Sequence, residues 1–173
     1  EPAEAVAATL TGERIAAVGR RGKYLVLGLE SGRHLLVHLR MTGSLRHDRS
    51  GSAESDPYCR AVMRLDDASD VTYRDVRRFG TWCVLEPGEL DTYLARRVGA
   101  EPLERGFTAA VLGRALAGRR APVKAVLLDQ RAVAGIGNIY ADEGLWRARI
   151  HPLRSAGSLT GAEVAALHRG VRV

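Results

Sequence analysis

The spacing of apolar residues changes once along this chain, and that change limits the folds it can adopt. Before the Glu86-Pro87-Gly88 turn, short apolar runs of strand type alternate with turn residues. Several short strands at this spacing are typical of an antiparallel sandwich or barrel. After the turn, the apolar residues follow a helical period. The sequence therefore predicts an α+β protein, with an antiparallel β-sandwich over residues 1–105 and an all-helical domain over residues 106–173.

Individual elements can be placed within this plan. Polar residues 46–57, rich in Gly, Ser and Asp, predict a loop. Thr108, Asn138 and Thr160 each occupy an expected N-cap position, and Glu163 completes a capping box with Thr160. The predicted strands cover residues 14–20, 23–29, 33–39, 59–65, 70–74 and 80–85, and the predicted helices cover 3–10, 89–96, 109–117, 123–129, 139–147 and a segment from 160 onward.

The chain of 173 residues has a formal net charge of +6, and the excess lies entirely in its C-terminal part. Residues 1–105 contain 16 basic and 16 acidic side chains, whereas residues 106–173 contain 10 basic and 4 acidic ones. A basic region of this kind attracts polyanions such as nucleic acids. A solvated basic surface without a partner is the equally favoured alternative.

The composition excludes several other classes of protein. Every apolar run is shorter than the roughly 20 residues that span a bilayer, and the N-terminus has no signal-peptide pattern, so we expect a cytoplasmic protein. Cys59 and Cys83 are too few for a disulfide scaffold or a four-cysteine zinc site. His34 and His38 lack a third ligand nearby, so we expect no metal site in this chain.

The segment Gly135-Ile136-Gly137-Asn138 has the composition of an anion site. Glycines let the backbone approach a ligand closely, and the helix that follows offers free N–H groups at its N-terminus. The Asn138 side chain can add a donor, which suits a phosphate group. An ordinary helix–turn–helix with a good N-cap is the alternative, and spacing alone favours that alternative.

Three further stretches lie in the sheet part. Arg20-Arg21-Gly22-Lys23 places three cations at the start of a strand, where they can contact a phosphate or simply be solvated. Arg77-Arg78-Phe79 combines a Phe with two arginines in a loop, a composition that suits insertion into a base stack. Met41 is a second candidate for insertion. For both Phe79 and Met41, packing in the core is the alternative.

Along nearly the whole chain, these stretches resemble the formamidopyrimidine-DNA glycosylase family, whose other branch is endonuclease VIII. The resemblance rests on the segments RRGKYLVL, HLRMTGSL, DVRRFGTW, GAEPL and PVKAVLLDQRAVAGIGNIYADEGLWRARIHP, which occur in the family's order and at its spacing. It implies a β-sandwich and a helical domain with a helix–two-turn–helix motif, with DNA bound between them. Such enzymes flip an oxidised purine, for example 8-oxoguanine, out of the duplex, cut its glycosidic bond and nick the strand through a Schiff base.

The resemblance also implies roles for residues of the sheet part. Lys23 matches a lysine near the scissile phosphate that donates a proton during β-elimination. Met41, Arg77 and Phe79 match three residues that fill the gap left by the flipped nucleotide, and Arg77 would face the orphaned base. Tyr58 aligns with a phosphate-contacting histidine of the family.

In the helical part, the resemblance implies contacts with the DNA backbone. Asn138 and Gly137, together with other N–H groups of the Gly135–Gly137 turn, match the phosphate clamp of the helix–two-turn–helix motif. Arg119 and Lys124 match basic residues that contact DNA.

Three features depart from the family pattern. The family's nucleophile is the amine of an N-terminal proline followed by an acidic glutamate, whereas this chain begins Glu1-Pro2 and the Pro2 nitrogen lies in a peptide bond. The family's structural zinc is held by four cysteines, which this sequence lacks. Arg40 occupies a position where the family has glycine. We therefore expect a fragment without nucleophile or zinc finger that binds DNA but does not excise bases.

The sequence thus predicts a monomeric protein of bacterial base-excision repair, from a family of DNA glycosylases with AP lyase activity. Its expected partner is double-stranded DNA that contains an oxidised purine or an abasic site. The alternatives are a non-catalytic protein that binds damaged DNA, an oxidised-pyrimidine glycosylase of the endonuclease VIII branch, and an RNA-binding helical module. The Arg77–Phe79 segment argues against the RNA-binding module, because a wedge is useful only in a base stack.

Overall fold

The chain divides into two compact units, Glu1–Gly88 and Glu89–Val173, in a computed structural model that describes residues 3–48 and 56–172. The predicted α+β class is confirmed, because the first unit contains antiparallel sheets and the second contains helices. Residues 89–105, which the sequence analysis placed with the sandwich, group with the helices. Backbone bonds explain this grouping, since the Gly99 N–H donates to the carbonyl of Gln130 at 2.8 Å and the Ala134 N–H to that of Ala100 at 2.9 Å.

Among the described residues, the sheet unit has one helix followed by seven strands. These are α1 (Ala3–Leu10), β1 (Ile15–Arg21), β2 (Tyr24–Leu29), β3 (His34–His38), β4 (Gly43–Asp48), β5 (Cys59–Arg64), β6 (Asp70–Asp75) and β7 (Thr81–Leu85). A four-stranded sheet has the order β1-β2-β3-β7 and a three-stranded sheet the order β4-β6-β5, with antiparallel neighbours in both. Leu27, Leu35 and Val37 of the first sheet form a buried cluster against which Leu45 and Met63 of the second sheet pack.

Part of the predicted loop at residues 46–57 is a strand. Residues 46–48 belong to β4, whereas residues 49–55 of that prediction lie outside the described residues. β4 pairs with β6 residue by residue, from Gly43 opposite Asp75 to Asp48 opposite Asp70. Pairing with a neighbouring strand holds this polar segment extended, so the tertiary context overrides its composition.

Over residues 89–172, the helical unit contains five α-helices and a short 3-10 turn at Ala156–Ser158. The helices are α2 (Leu90–Ala95), α3 (Ala109–Leu116), α4 (Val123–Leu128), α5 (Asn138–Ala148) and α6 (Gly161–Gly170). Its core includes the fully buried leucines Leu112, Leu116, Leu127, Leu145 and Leu167.

Two of the three predicted N-caps are confirmed. The Thr108 hydroxyl accepts the N–H of Val111 at 3.2 Å, and Thr160 forms the expected capping box with Glu163. The third was wrong by one residue, because Gly137 is the N-cap of α5 and Asn138 is its first helical residue. Gly137 is extended there, with φ −109° and ψ −179°, which leaves the Asn138 side chain without a capping role.

Candidate nucleic-acid interface

Lys23 lies in a two-residue turn at one end of the four-stranded sheet. The pairing of Arg21 with Tyr24 closes this turn, and Gly22 adopts a positive φ of 57° within it. The Lys23 side chain is exposed, yet partial burial lowers the pKa of its ammonium group. An ammonium group with a lowered pKa releases its proton more readily.

His38 lies beside this turn at the end of β3, because it is the register partner of Tyr24. The two rings meet edge to face, with their centroids 4.9 Å apart. His38 Nδ1 accepts the N–H of Arg40 at 3.1 Å. Burial lowers the pKa of His38, and the nearby charges of Arg40 and Lys23 lower it further. A neutral His38 ring therefore anchors the backbone of the loop that follows β3.

Asp75, a buried carboxylate at the end of β6, joins the loop after β3 to the loop after β6. It accepts hydrogen bonds from the hydroxyl of Thr42, the hydroxyl of Tyr73 (3.0 Å) and the N–H of Gly80 (2.8 Å). These bonds, with that from Thr42 the most important, lower the pKa of Asp75 to about 2. The carboxylate is therefore charged at neutral pH and holds both loops in place.

Gly80 lets the second loop pass close to the ring of Tyr73. A Cβ atom at residue 80 would lie 1.6 Å from the Tyr73 hydroxyl oxygen. Burial and the bond to Asp75 raise the pKa of Tyr73 to about 12, so its hydroxyl stays protonated and donates. Neither Tyr73 nor Asp75 was predicted as a functional residue, because an aspartate that ends a strand looks the same in a sequence whether it is buried or exposed.

The two loops bring Met41, Arg77 and Phe79 together on the surface. The Arg77 guanidinium lies 4.6 Å from the centroid of the Phe79 ring, and its Nη1 donates to Met41 Sδ at 3.4 Å. Met41 is 74% exposed and Phe79 is 51% exposed. The alternative of core packing is therefore wrong for both residues. An exposed apolar pair held around a guanidinium has the composition of a group that inserts into a base stack.

The backbone of Tyr58 forms a hydrogen bond with the backbone of Asp75. The Tyr58 carbonyl accepts the N–H of Asp75 at 3.0 Å, and its own N–H donates to Asp56 at 2.8 Å. Its ring is partly exposed and lies under the Arg74 guanidinium, which is 4.9 Å from the ring centroid. The predicted phosphate contact of Tyr58 stays a prediction.

In the helical unit, a glutamine braces the turn that precedes α5. The Gln130 side chain accepts the N–H of Gly135 at 2.9 Å and donates to the carbonyl of Ile136 at 2.9 Å. The Gly135 N–H is therefore engaged within the protein and is not free for a phosphate. Within the described ranges, the N–H groups of Gly137 and Asn138 have no acceptor, and the Asn138 side chain is exposed and unbonded. The anion site stays a prediction, now limited to the N–H groups at the start of α5.

Lys124 lies near the same helix end. Its Nζ is 2.7 Å from Oδ1 of Asp142, an ion pair that joins α4 to α5. Asp142 is four residues after Asn138, so both side chains project from one face of α5. The structure therefore places Lys124 and Asn138 along the same helix face, with part of the Lys124 charge balanced by Asp142.

Arg119 lies elsewhere in the helical unit, after α3. Its Nη1 is 3.5 Å from Oδ2 of Asp129, which also pairs with Arg131 at 3.2 Å. The Arg119 side chain is 44% exposed, so it can reach a ligand while it keeps this pair. Its contact with DNA stays a prediction.

Family models match both units. The formamidopyrimidine-DNA glycosylase N-terminal domain matches residues 1–82, and the formamidopyrimidine-DNA glycosylase H2TH domain matches residues 98–173. The chain belongs to the formamidopyrimidine-DNA glycosylase family. A member of this family from Roseiflexus sp. is 47% identical over 163 residues, which cover 94% of this chain and 59% of that protein. The chain therefore spans about three fifths of the length of such relatives.

Solved structures of the same family carry DNA. One is the Lactococcus lactis Fpg in complex with DNA that contains an abasic site. Its protein chain is 34% identical to this one, with a TM-score of 0.89, and the match covers 98% of this chain and 62% of the Fpg chain. MutM in complex with DNA that contains carbocyclic 8-oxo-G is also 34% identical, with a TM-score of 0.91, and covers 98% and 63%.

The residues of this chain cannot supply the structural zinc site of the formamidopyrimidine-DNA glycosylase family. Such a site needs four cysteines, and this chain has only Cys59 and Cys83. Within residues 3–48 and 56–172, no three His, Cys, Asp or Glu side chains are grouped as a metal ion requires.

Among the helices of residues 3–48 and 56–172, none has the length and apolar character of a membrane-spanning segment.

Proposed function

We propose that this chain forms the DNA-binding surface of a base-excision repair enzyme. The enzyme is a DNA glycosylase and AP lyase that removes oxidised purines, such as 8-oxoguanine and formamidopyrimidines, from duplex DNA and nicks the strand. One observation carries the proposal: Met41, Arg77 and Phe79 form an exposed cluster. The buried carboxylate of Asp75 holds the loops that present this cluster.

The cluster fits the gap that a flipped nucleotide leaves in the base stack. Removal of a base from the stack exposes the apolar faces of its neighbours and leaves the opposite base unpaired. The Phe79 ring and the Met41 side chain supply apolar surface to fill this gap. The Arg77 guanidinium is a planar donor, suited to hydrogen bonds with the edge of the orphaned base.

The start of α5 supports the proposal as a phosphate clamp. The free N–H groups of Gly137 and Asn138, the Asn138 amide and the positive end of the helix dipole all favour an anion. Such a clamp positions the duplex without reading its sequence. Lys23, with its lowered pKa, is proposed to protonate a leaving group near the scissile phosphate.

The proposal is tested by fluorescence anisotropy with the chain Glu1–Val173 and four duplexes of one sequence. The duplexes contain a tetrahydrofuran abasic analogue, 8-oxoguanine, thymine glycol or no lesion. We expect the tightest binding to the abasic and 8-oxoguanine duplexes, because solved structures of the family hold DNA with an abasic site or with 8-oxo-G. Equal binding to all four duplexes would contradict the wedge assignment. A preference for thymine glycol would instead support the endonuclease VIII branch.

We also propose that the protein acts on DNA as a monomer in the bacterial cytoplasm. The chain as given is proposed to hold no cofactor. Sedimentation of the chain with an excess of abasic duplex checks the monomeric state, since a monomer gives a complex of one chain per duplex.

A further inference from the structure

Arg40 occupies an unfavourable backbone conformation in the loop after β3. Its φ is 55°, in the left-handed region that suits glycine and is costly for an arginine. The bond from its N–H to His38 Nδ1, at 3.1 Å, holds it there. The buried His38 ring is fixed in turn against Tyr24. The fold therefore maintains a strained arginine at one defined point of the surface.

The charge of Arg40 is also unbalanced. Four arginines of the sheet unit, Arg14, Arg33, Arg64 and Arg74, have a carboxylate oxygen within 3.5 Å. Among the described residues, no carboxylate lies within ion-pair distance of the exposed Arg40 guanidinium. Arg40 lies instead near Lys23, because the register pairs Tyr24 with His38 and the charges of both cations act on the His38 ring. Two like charges held at one sheet end repel each other until an anion binds.

Arg40 also directly precedes Met41 in the chain. Met41 is 74% exposed and contacts the Arg77 guanidinium. The position of Arg40 is thus coupled through one peptide bond to a residue of the wedge. An anion bound by Arg40 would lie beside the wedge, where the DNA backbone must pass if the wedge enters a base stack.

We propose that Arg40 binds a backbone phosphate of the damaged duplex next to Lys23, and so fixes the strand at the point where Met41 inserts. This inference rests on the proposed function. A guanidinium offers several donors in one plane and pairs with a phosphate through two hydrogen bonds. Strain and charge repulsion that are unfavourable in the free protein are then offset in the complex.

The test compares the salt dependence of binding to the abasic duplex for the wild-type chain and four variants. Arg40→Gln removes the charge, Arg40→Gly also relieves the backbone strain, and Arg40→Lys keeps the charge. Arg14→Gln is the matched control, because Arg14 is an exposed arginine at the opposite end of the same sheet. Thermal unfolding of each variant shows that the fold is retained.

We expect Arg40→Gln and Arg40→Gly to bind roughly tenfold more weakly at low salt, with a slope of log K against log salt reduced by about 0.9, the loss of one phosphate contact. Arg40→Lys and Arg14→Gln should keep the wild-type slope. Arg40→Gly should unfold at a higher temperature than Arg40→Gln. A wild-type slope in both Arg40→Gln and Arg40→Gly would overturn the Arg40 assignment alone. Failure of the wild-type chain to prefer the damaged duplex would overturn the proposed function, and this inference with it.

Discussion

Thr42 donates its hydroxyl hydrogen to Oδ1 of Asp75, and this bond helps to join two loops that are distant in the sequence. The same carboxylate accepts the N–H groups of Gly80 at 2.8 Å and Arg77 at 3.3 Å. The exposed cluster of Met41, Arg77 and Phe79 therefore depends on a buried acid that has no contact with the DNA in our proposal.

Asp75→Asn should weaken binding to the abasic duplex more than binding to the undamaged one. An asparagine NH2 group cannot accept the hydrogen bonds of Tyr73 and Gly80, so the two loops lose a common anchor. Anisotropy titrations with both duplexes measure the effect. Asp70→Asn is the control, because Asp70 is equally buried at the other end of β6 and holds Arg64 rather than the loops. Equal losses in both variants would show that Asp75 acts only through general stability.

Asp75 should also make the sheet unit acid-sensitive. Its pKa is lowered from 3.8 in an unfolded chain to about 2 in the fold, so its contribution to stability is complete above about pH 4. That contribution is lost as the pH falls through about 2, because protonation then removes the negative charge and turns one acceptor oxygen into a donor. Urea unfolding of the wild type should show stability falling over this interval, and Asp75→Asn should show a shallower fall. Identical pH dependence in the two proteins would contradict this assignment.

Phe79→Ala should reduce affinity for the abasic duplex by about 1–3 kcal/mol, the value of one base–aromatic stacking contact, without loss of stability. The chain contains one other phenylalanine, Phe107, which is 2% exposed in the helical core. Phe107→Ala should instead cost about 3–5 kcal/mol of unfolding free energy. Anisotropy and thermal unfolding of both variants separate the two effects. A large loss of stability in Phe79→Ala would place its ring in a packing role.

Asn138→Ala should weaken binding to damaged and undamaged duplexes equally, by about 1.5–3 kcal/mol, the value of a hydrogen bond to a charged group. A phosphate clamp contacts the backbone and does not distinguish lesions. Thr108→Ala is the control, because it truncates the N-cap of α3 and should cost about 1 kcal/mol of stability without a change in affinity. A selective loss on the abasic duplex would assign Asn138 to lesion recognition instead.

Borohydride should trap no covalent complex between the chain Glu1–Val173 and an 8-oxoguanine duplex. The resemblance assigns the Schiff base to the secondary amine of an N-terminal proline, and the nitrogen of Pro2 in this polypeptide is an amide. The free amines of the polypeptide are the Glu1 α-amine and the side chains of Lys23 and Lys124. Denaturing electrophoresis detects any crosslink. If one forms in the wild type and disappears in Lys23→Arg, Lys23 is the attacking amine, because an arginine keeps the charge but does not form the adduct.

Local patterns were sufficient where the deciding interactions lie close together in the chain. The Thr160 capping box with Glu163 was predicted and is present, because both partners lie within four residues. The polar composition of residues 46–48 misled the prediction, because pairing with β6 decides their conformation. Asn138 was misplaced by one residue for a similar reason: the extended Gly137 backbone, in a turn braced by Gln130, sets where α5 begins.

The sequence alone predicted the helices, six of the seven described strands and the basic C-terminal part, because periodicity and charge are properties of neighbouring residues. It missed β4. It also singled out Lys23, Met41, Arg77 and Phe79 as candidates, from the composition and spacing of short motifs. The sequence could not predict whether the Phe79 side chain is buried or exposed, because burial depends on residues far away in the sequence. The role of Asp75 and the strain at Arg40 likewise depend on contacts with Thr42, Gly80 and His38. Those contacts exist only once distant strands are paired, and for that reason the tertiary structure alone decided how the interface is held.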